Sequence, residues 1–240
     1  MSVVLITGAA AGLGKGIARA FAAQGAKLVL GDINVAPLEA VAAALGTECV
    51  TMVGDVSDAA YAKALVALAL ERFGNLDIAI NNAGIVHDPA FLPDITESDA
   101  RRVIDVDLLG VLWALQAQIP AMGQGAIINI ASVAGLSGAP TLGAYAAAKH
   151  GVIGLTRSAA LENARRGIRV NAVCPSFART AMAGEASHSK AHETEMTRGI
   201  PMRRLASVAE VVQAVMFLAD PANSFMTGQA IGVDGGMGAM

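Results

Sequence analysis

The feature of this chain that most constrains its fold is a repeated alternation of short β-branched segments with longer alanine-rich segments. Several short segments are apolar without polar alternation, which is typical of parallel strands buried on both faces. Strict β-α-β alternation predicts right-handed crossovers and a doubly wound parallel α/β sheet of about seven strands, with helices on both faces. We predict strands at residues 3–7, 27–31, 50–53, 76–81, 126–130, 169–173 and 230–233, and helices at residues 13–24, 37–45, 58–73, 97–122, 144–166 and 208–218.

Local signals support these boundaries. Thr96 followed by Asp99 resembles a capping box with Asp in place of Glu, and Ser207 followed by Glu210 fits that signature fully. Three glycines stand where predicted helices should stop: Gly25, Gly46 and Gly74.

The predicted elements fill the chain without an internal repeat or low-complexity tract, so we expect one domain over residues 1–240. The exception is residues 176–205, where periodicity is weak and polar residues are frequent. Long irregular inserts in compact domains are usually functional or mobile. This one follows the carboxyl end of a predicted strand, where open α/β sheets bind ligands. We therefore predict a substrate-binding lid.

Bulk composition narrows the classes of partner. The chain has a net charge of −3, which argues against a nucleic-acid-binding surface, because such a surface needs clustered Lys and Arg. No segment reaches the roughly 18 consecutive apolar residues of a membrane span. Cys49 and Cys174 have no metal-ligand or redox spacing, so we expect two buried thiols in a reducing compartment. With no secretory signal at the N-terminus, we expect a cytoplasmic protein without nucleic-acid or membrane partners.

A glycine loop with the spacing G-x-x-x-G-x-G links the first predicted strand to the first predicted helix at residues 7–14. Its glycines permit a tight turn and the close approach of a pyrophosphate, which the amides at the helix N-terminus attract. The spacing differs from that of a P-loop, which disfavours an NTPase. Glycines that serve only ordinary turns are the alternative. We expect dinucleotide contacts from the loop at Gly8, Ala11, Gly12, Leu13 and Gly14.

Asp32 ends the second predicted strand, 18 residues after Gly14. A carboxylate there can accept hydrogen bonds from the ribose hydroxyls of adenosine and repels a 2′-phosphate. Ile33 follows it, and no Arg or Lys stands directly beside it, so NAD is favoured over NADP. The alternative is that Asp32 is a solvated turn residue. We expect Ile33 at the cofactor, with Asp55 and Val56 near the adenine after the third strand.

Further motifs follow in order along the chain. Residues 81–84 read Asn-Asn-Ala-Gly, and Ser132 precedes a Tyr-x-x-x-Lys motif formed by Tyr145 and Lys149, 13 residues after the serine. Pro175 is followed by Thr180, and residues 233–236 read Val-Asp-Gly-Gly. With the glycine loop, these motifs resemble those of the classical short-chain dehydrogenase/reductase family over essentially the full chain, except that Ser176 replaces the usual Gly.

The resemblance implies a Rossmann-type fold and hydride transfer between NAD(H) and a secondary alcohol/ketone pair. It also implies a homotetramer, or at least a homo-oligomer. Tyr145 and Lys149 would contact the cofactor, and Tyr145 would also contact the substrate. The remaining cofactor contacts implied by the resemblance are Asn82, Ala83, Gly84, Pro175 and Thr180.

Tyr145 and Lys149 stand four residues apart on one predicted helix, so both project from the same face. A free phenol is too weak an acid to supply an efficient base at neutral pH, and a nearby ammonium favours the phenolate. The resemblance implies that Tyr145 takes the hydroxyl proton in oxidation and returns it in reduction, while Lys149 binds the nicotinamide ribose. Ser132 would orient the substrate oxygen. A turn-capping role for Ser132 is the alternative.

One position departs from the family pattern. The motif N-L-x-G reads Asp-Leu-Leu-Gly here, so Asp107 replaces the fourth catalytic residue, an Asn. In the family that Asn holds a proton-relay water through its backbone carbonyl, a role that Asp107 can retain, and we count it as catalytic. An ionised carboxylate near Lys149 would offset part of the effect of the ammonium on Tyr145, so we expect a changed pH profile. The alternative is that Asp107 is neutral or points away.

The segments that follow strand ends should face the substrate and are mostly apolar, which favours a modest hydrophobic ketone or secondary alcohol over a sugar. His188 and His192 have the helical spacing of two metal ligands, but no third ligand is evident, so we predict no metal site. Besides Ser132 and Tyr145, the predicted substrate contacts are His87, Leu142 and Phe177, with Phe91, Ser137 and Met182 nearby, each of which could equally pack in a lid or core.

Two other functions remain open at this stage. A non-catalytic dinucleotide-binding sensor could keep the fold, and Asp107 is the only residue that favours it. A sugar-nucleotide epimerase of the extended relatives would carry a sizeable C-terminal substrate domain, whereas only 35 residues follow Leu205.

Overall fold

The computed structural model describes residues 1–179 and 190–239. Its strands form a single parallel sheet in the order β3-β2-β1-β4-β5-β6-β7, which confirms the predicted doubly wound Rossmann-type fold. The strands are β1 (Val3–Thr7), β2 (Lys27–Asp32), β3 (Cys49–Val53), β4 (Ile78–Asn81), β5 (Gly125–Ile130), β6 (Ile168–Pro175) and β7 (Ala230–Val233). The α-helices are α1 (Gly12–Ala23), α2 (Val35–Ala43), α3 (Ala59–Phe73), α4 (Glu97–Val103), α5 (Gly110–Ala121), α6 (Gly143–Asn163), α7 (Lys190–Met196) and α8 (Val208–Ala219).

Two apolar clusters cover the two faces of the sheet. Val4 and Ile6 of β1 pack with α1, α2 and α8 on one face, while Val3 and Leu5 pack with α3, α5 and α6 on the other. Successive strand residues point to opposite faces, so a strand buried on both sides must be apolar at every position. The unbroken apolar runs in the sequence have this cause.

The predicted helix boundaries hold at their caps. The Thr96 hydroxyl accepts a hydrogen bond from the Asp99 amide, and Ser207 with Glu210 forms a complete capping box. Gly74 ends α3 in the left-handed conformation, where its φ is 83°. Gly25 and Gly46 also have positive φ just after α1 and α2, so they permit the chain to turn back toward the sheet.

The helix predicted at residues 97–122 is a continuous helical segment with an interruption. Between α4 and α5, residues Ile104–Leu109 form a turn of π-helix, hereafter the π-turn. Such turns insert an extra residue and are frequent at functional sites. The whole segment, Glu97–Ala121, is the one helix in the described chain that is long and apolar enough to cross a membrane. Core helices pass the same test, and this one packs against α3 and α6.

A buried polar layer connects the sheet to α5 and α6. Asn81 of β4 exchanges hydrogen bonds with Gln118 of α5 and donates to Asn129 of β5. Asn129 in turn donates to Thr156 of α6 at 2.9 Å. Because buried amides must be hydrogen-bonded, this layer fixes the register between the two strands and the helices that carry the candidate site.

The described parts of the predicted lid, residues 176–205, are more regular than expected. Ala178 forms an isolated parallel bridge with Ala206, and helix α7 covers Lys190–Met196. Thr180, Met182 and His188, together with the side chain of His192, lie outside the described residues.

Candidate active site

The candidate site lies at the carboxyl edge of the sheet, where β1 pairs with β2 on one side and β4 on the other. Successive crossovers leave in opposite directions at this point, and open α/β sheets bind ligands in the crevice so formed. The glycine loop follows β1 here, and the segment of residues 81–84 follows β4. The site is therefore built from chain segments that only the sheet topology brings together.

The glycine loop leaves no room for side chains at two positions. Gly8 has a φ of 66°, and a Cβ on it would lie 2.8 Å from the Asn82 amide nitrogen. A Cβ on Gly14 would lie 2.1 Å from the Gly8 carbonyl oxygen. Ala11 precedes α1 and has no side chain that could cap the helix amides. A turn this tight with free helix amides fits a pyrophosphate.

Asp32 is joined to the same loop. Its Oδ2 accepts a hydrogen bond from the Ala10 amide at 2.9 Å, and its Oδ1 accepts from the backbone and side chain of Asn34. The carboxylate is half-buried and is held by neutral donors. It therefore stays at the end of β2 beside the glycine loop, which suits a contact with a ribose.

The residues predicted near the adenine occupy the same edge of the sheet. Ile33 is 61% exposed directly after Asp32. The Asp55 carboxylate accepts a hydrogen bond from the Ser57 amide and is exposed, whereas Val56 packs against Gly110. Asp55 and Ile33 are therefore accessible for ligand contact, whereas Val56 mainly supports α5.

Asn82 clamps the glycine loop to β4. Its side-chain amide donates to the carbonyl oxygens of Thr7 and Gly8, at 2.9 and 3.1 Å. The Thr7 hydroxyl accepts from the backbone amides of Asn82 and Ala83. The predicted support of the central strand thus has a defined set of contacts, and Asn82 itself holds the loop.

Lys149 reaches from α6 to the end of β5. Its ammonium nitrogen donates to the Ile130 carbonyl at 3.2 Å and lies 2.9 Å from Asp107 Oδ2. The Lys149 side chain is 4% exposed and that of Asp107 is 0% exposed. The alternative in which Asp107 points away is wrong, because its carboxylate faces the ammonium directly.

The π-turn and the segment after β4 hold Asp107 from two sides. Its Oδ1 accepts a hydrogen bond from the Ile85 amide at 2.8 Å, while its Oδ2 faces Lys149. A Cβ on Gly84 would lie 2.9 Å from Asp107 Oδ2 and 3.3 Å from Lys149 Nζ. Gly84 therefore leaves the space in which the ion pair sits.

Opposing influences act on the ammonium of Lys149. Burial is the largest of them and lowers the pKa of Lys149. The charge of Asp107, followed by smaller contributions from Tyr145, a hydrogen bond to Asp107 and Cys174, raises it by more than burial lowers it. The pKa of Lys149 consequently lies above its ordinary value, so the lysine is an ammonium at neutral pH.

Tyr145 and Ser132 flank this ammonium. Tyr145 is half-buried one turn before Lys149, and the ammonium nitrogen lies 5.5 Å from the centre of its ring. Ser132 follows β5, two residues after Ile130, and its Oγ accepts from the Ala134 amide at 3.1 Å. The turn after Ser132 packs on α6, since a Cβ on Gly135 would lie 2.7 Å from the Lys149 carbonyl oxygen.

Ser132 therefore does cap a turn, as the alternative reading of it proposed. Capping uses the hydroxyl oxygen as an acceptor and leaves its O–H free to donate. The two roles are compatible, and the cap fixes the direction of the hydroxyl.

The structure does not bring His87 together with this group. Its ring is 5% exposed, its Nδ1 lies 2.8 Å from the Asp88 carbonyl oxygen, and its Nε2 has no hydrogen-bond partner. The ring lines a cavity of about 120 Å³ beside Asp99 and Arg102 of α4. The residues lining that cavity include none of the catalytic candidates.

The other predicted substrate residues border the site or the surface. Leu142 immediately precedes α6 and pairs with Ala90 in an isolated bridge, close to Tyr145 along the chain. Phe177 is partly exposed after Pro175, which ends β6. Phe91 is 71% exposed, and Ser137 is also exposed. Leu142 and Phe177 remain the candidates nearest to the site.

Sequence reasoning missed the backbone groups that hold the site. The Ile130 carbonyl and the Ile85 amide contact the ion pair directly, and the Ala10 amide contacts Asp32. Every residue has such groups, so no residue type could signal them. Within the described chain, no group of His, Cys, Asp and Glu could hold a metal ion.

Known proteins with similar sequences were found over nearly the whole chain. A family model described as enoyl-(acyl carrier protein) reductase matches residues 8–238. The chain is 42% identical to 3-oxoacyl-(acyl-carrier-protein) reductase of Thermotoga maritima, covering 98% of this chain and 97% of that protein. It is 41% identical to cyclohexanol dehydrogenase of an Acinetobacter species, covering 97% and 93% of the two chains.

The chain belongs to the classical short-chain dehydrogenase/reductase family. The crystal structure of levodione reductase superposes with a TM-score of 0.95 at 36% identity, covering 99% of this chain and 98% of that one. Levodione reductase of Leifsonia aquatica is 38% identical in sequence. The protein is accordingly an oxidoreductase, and it has the fold with which its family binds a nicotinamide dinucleotide. Its relatives act on small molecules that carry an alcohol or a ketone.

Proposed function

We propose that this protein is an NAD-dependent oxidoreductase that interconverts a secondary alcohol and a ketone, with Tyr145 as the acid/base. One observation carries the proposal: the Lys149 ammonium is fixed at the end of β5 by the Ile130 carbonyl, within 5.5 Å of the Tyr145 ring centre. Ser132 follows on the same strand end. A phenol, an ammonium and a hydroxyl at the carboxyl edge of the sheet provide what a reversible proton transfer to oxygen requires.

Each residue has a defined part in this proton transfer. The Ser132 hydroxyl, fixed by its bond from the Ala134 amide, donates to the substrate oxygen and orients it. The Tyr145 oxygen accepts the hydroxyl proton of an alcohol and returns it to the oxygen when a ketone is reduced. The Lys149 ammonium stabilises the phenolate between these events.

The cofactor residues fit NAD. The glycine loop and the free amides of α1 would hold the pyrophosphate, and Asp32 would accept from the ribose hydroxyls. When bound, the nicotinamide accepts or supplies the hydride. Asp32 carries a negative charge that no cation of the described chain neutralises, so a 2′-phosphate beside it is repelled, which favours NAD over NADP.

The substrate proposed for this site is a compact apolar ketone or secondary alcohol. Leu142 directly precedes α6, which carries Tyr145, and Phe177 follows the carboxyl end of β6, so apolar side chains flank these elements in the chain. Two relatives are named cyclohexanol dehydrogenase and levodione reductase, and each aligns with this chain over nearly its whole length. A third, named 3-oxoacyl-(acyl-carrier-protein) reductase, makes 3-oxoacyl compounds the second group of substrates to test.

A substrate panel tests the proposal. Cyclic and open-chain secondary alcohols, and 3-hydroxyacyl thioesters, are mixed with NAD⁺ or NADP⁺, and the absorbance of the reduced nicotinamide is followed. We expect turnover with NAD⁺ and its loss in Tyr145→Phe by about 10²–10⁴-fold. Tyr61→Phe is the matched control, because Tyr61 is the only other tyrosine and its hydroxyl donates to the Met52 carbonyl of β3. An active Tyr145→Phe, or no turnover with any pair, would refute the assignment.

We also propose that the protein is a homo-oligomer. Three large apolar side chains are exposed: Leu161 of α6, Phe217 of α8 and Phe225 before β7. Large exposed apolar side chains that lie in patches mark contact surfaces. Light scattering after gel filtration should give a mass that is a multiple of the chain mass, and Phe225→Ser should lower it.

A further inference from the structure

Two groups hold the carboxylate of Asp107. The Ile85 amide donates a hydrogen bond to Oδ1 at 2.8 Å, and the Lys149 ammonium lies 2.9 Å from Oδ2 as an ion pair. Of the three N–H donors of Lys149, the Ile130 carbonyl takes one. The other two are left for the side of Asp107 and Tyr145.

An asparagine at position 107 cannot reproduce this arrangement. Its side chain has one acceptor oxygen, so only the Ile85 amide or Lys149 could be satisfied, while its NH₂ group would face the other donor. The charge also differs, because the carboxylate opposes the ammonium and an amide does not. Both the orientation of the ammonium and the net charge beside Tyr145 therefore depend on Asp107.

The charged and titratable groups around the ammonium come from every packed element. The π-turn contributes Asp107, α6 contributes Tyr145, and β6 contributes Cys174. Burial raises the pKa of the Cys174 thiol to about 11, so this thiol is uncharged over the working range. The end of β5 and the segment after β4 contribute only backbone groups. Asp107 is thus the one fixed negative charge in contact with Lys149 among the described residues.

We propose that Asp107 is a positioning residue that fixes the Lys149 ammonium and opposes its charge, so that the site gives up the catalytic proton only at a higher pH than it would with an uncharged residue at 107. This rests on the proposed function and deepens it. With less net positive charge beside it, the phenolate form of Tyr145 is less favoured. Ketone reduction, which needs the protonated phenol, then extends to higher pH, and alcohol oxidation begins at higher pH.

The first test needs no substrate. The chain has five lysines, so ¹³C,¹⁵N-lysine labelling gives a tractable NMR spectrum, in which the Lys149 signal is assigned by its absence in Lys149→Met. In the wild type we expect Lys149 to titrate above the ordinary lysine range. In Asp107→Asn it should titrate at a lower pH, because burial acts without the compensating charge. An identical titration in both proteins overturns the proposal.

The second test uses the alcohol and ketone found by the substrate panel. In Asp107→Asn, the pH profiles of oxidation and of reduction should both move toward lower pH, by the same amount. Oxidation on the rising limb becomes about three- to tenfold faster at a fixed pH, and reduction on its alkaline limb becomes slower by a similar factor. A purely structural role would lower the rates at all pH values without moving the limbs, and superimposable profiles overturn the proposal.

Two further measurements keep the outcome decisive. Asp105→Asn removes an equal charge from the exposed side of the same π-turn and should leave both profiles in place; an equal shift there would assign the effect to net charge and overturn the proposal. If Asp107→Asn does not fold, Asp107→Ser replaces it in both tests. Lys149 should again titrate at a lower pH than in the wild type, and an unchanged titration overturns the proposal. Absence of turnover in the wild type refutes the proposed function alone, whereas the NMR titration judges Asp107 independently.

Discussion

Two carboxylates stand at the same edge of the sheet and are stabilised in different ways. Asp32 is half-buried and accepts hydrogen bonds from neutral donors, the Ala10 amide and Asn34. Asp107 is fully buried and faces the ammonium of Lys149. A carboxylate held by amides keeps its net negative charge for a ligand, whereas a carboxylate paired with a cation cancels most of its field.

The difference separates binding from chemistry. In the proposed function, the charge of Asp32 faces the cofactor and would favour a ribose hydroxyl over a 2′-phosphate. The charge of Asp107 instead acts within the protein, where it orients the Lys149 ammonium and offsets its charge. Four experiments test this contrast.

The largest effect is expected when Asp107 loses its cation. Lys149→Met leaves a buried carboxylate unpaired, which should lower the free energy of unfolding by about 3–5 kcal/mol and activity by about 10²–10⁴-fold. Urea unfolding and steady-state kinetics measure the two. The double variant Lys149→Met with Asp107→Leu should recover stability without activity. Lys63→Met, at an exposed position of α3, is the control, and equal losses there would remove the distinction.

The next largest effect is expected at Asp32, the carboxylate that is not paired with a cation. Asp32→Ala removes hydrogen bonds to a charged group, each worth roughly 1.5–3 kcal/mol, so the ratio of kcat/KM for NAD⁺ over NADP⁺ should fall about 10- to 100-fold. Glu39→Ala, which removes an exposed carboxylate from the adjacent helix α2, should leave the ratio unchanged. A wild type that prefers NADP⁺ would contradict the argument from Asp32.

A smaller effect is expected from crowding the ion pair. Gly84→Ala places a Cβ 2.9 Å from Asp107 Oδ2 and 3.3 Å from Lys149 Nζ. The pair must separate or shift, at a cost of about 1–3 kcal/mol in unfolding free energy, with loss of activity. Gly154→Ala on α6 meets nothing within 4 Å, and it should be neutral or stabilising, as alanine favours helix over glycine. Equal stabilities of the two variants would show that the pair is loosely held.

The smallest effect is a pH dependence of stability. Burial raises the pKa of Cys174, beside Lys149, to about 11, and it raises the pKa of Cys49, on the strand next to Asp32, to about 11. A group whose pKa is raised on folding stabilises the fold fully below its unfolded pKa and loses that contribution as the pH rises through the folded value. Lys149 acts in the same direction.

Unfolding midpoints in urea should therefore fall between about pH 9 and 11. Because burial raises the pKa of both thiols to about 11, Cys174→Ala and Cys49→Ala should flatten this fall by similar amounts. A fall that neither variant changes would contradict the assigned causes.

The sequence predicted the parts of this molecule that local patterns control. The bounds of β1 and β7 agree to the residue, and the Ser207–Glu210 cap is present, since each depends on neighbours in the chain. The motif residues Ser132, Tyr145 and Lys149 also lie together at the carboxyl edge of the sheet, and their catalytic roles stay a prediction. The family follows from those motifs, and the comparisons confirm it.

What the sequence could not show depends on distant segments. Asp107 and Lys149 are 42 residues apart, and their contact requires the packing of the π-turn against α6. An extra residue in a helical turn leaves the apolar pattern of residues 97–122 almost unchanged, so one continuous helix was the natural prediction. His87 follows a strand end like the other site residues, yet its ring turns toward α4, and no sequence pattern specifies that direction.

The π-turn also sets the rotation of α5 relative to α4 about the common helix axis. One residue of an α-helix corresponds to about 100° of rotation, so the extra residue in Ile104–Leu109 lets α4 and α5 each bury their own face while Asp107 points between them at Lys149. Deleting one residue there would restore a regular helix and turn the carboxylate through about a quarter of a circle, away from the ammonium. The direction of the Asp107 carboxylate thus depends on the number of residues in one helical turn.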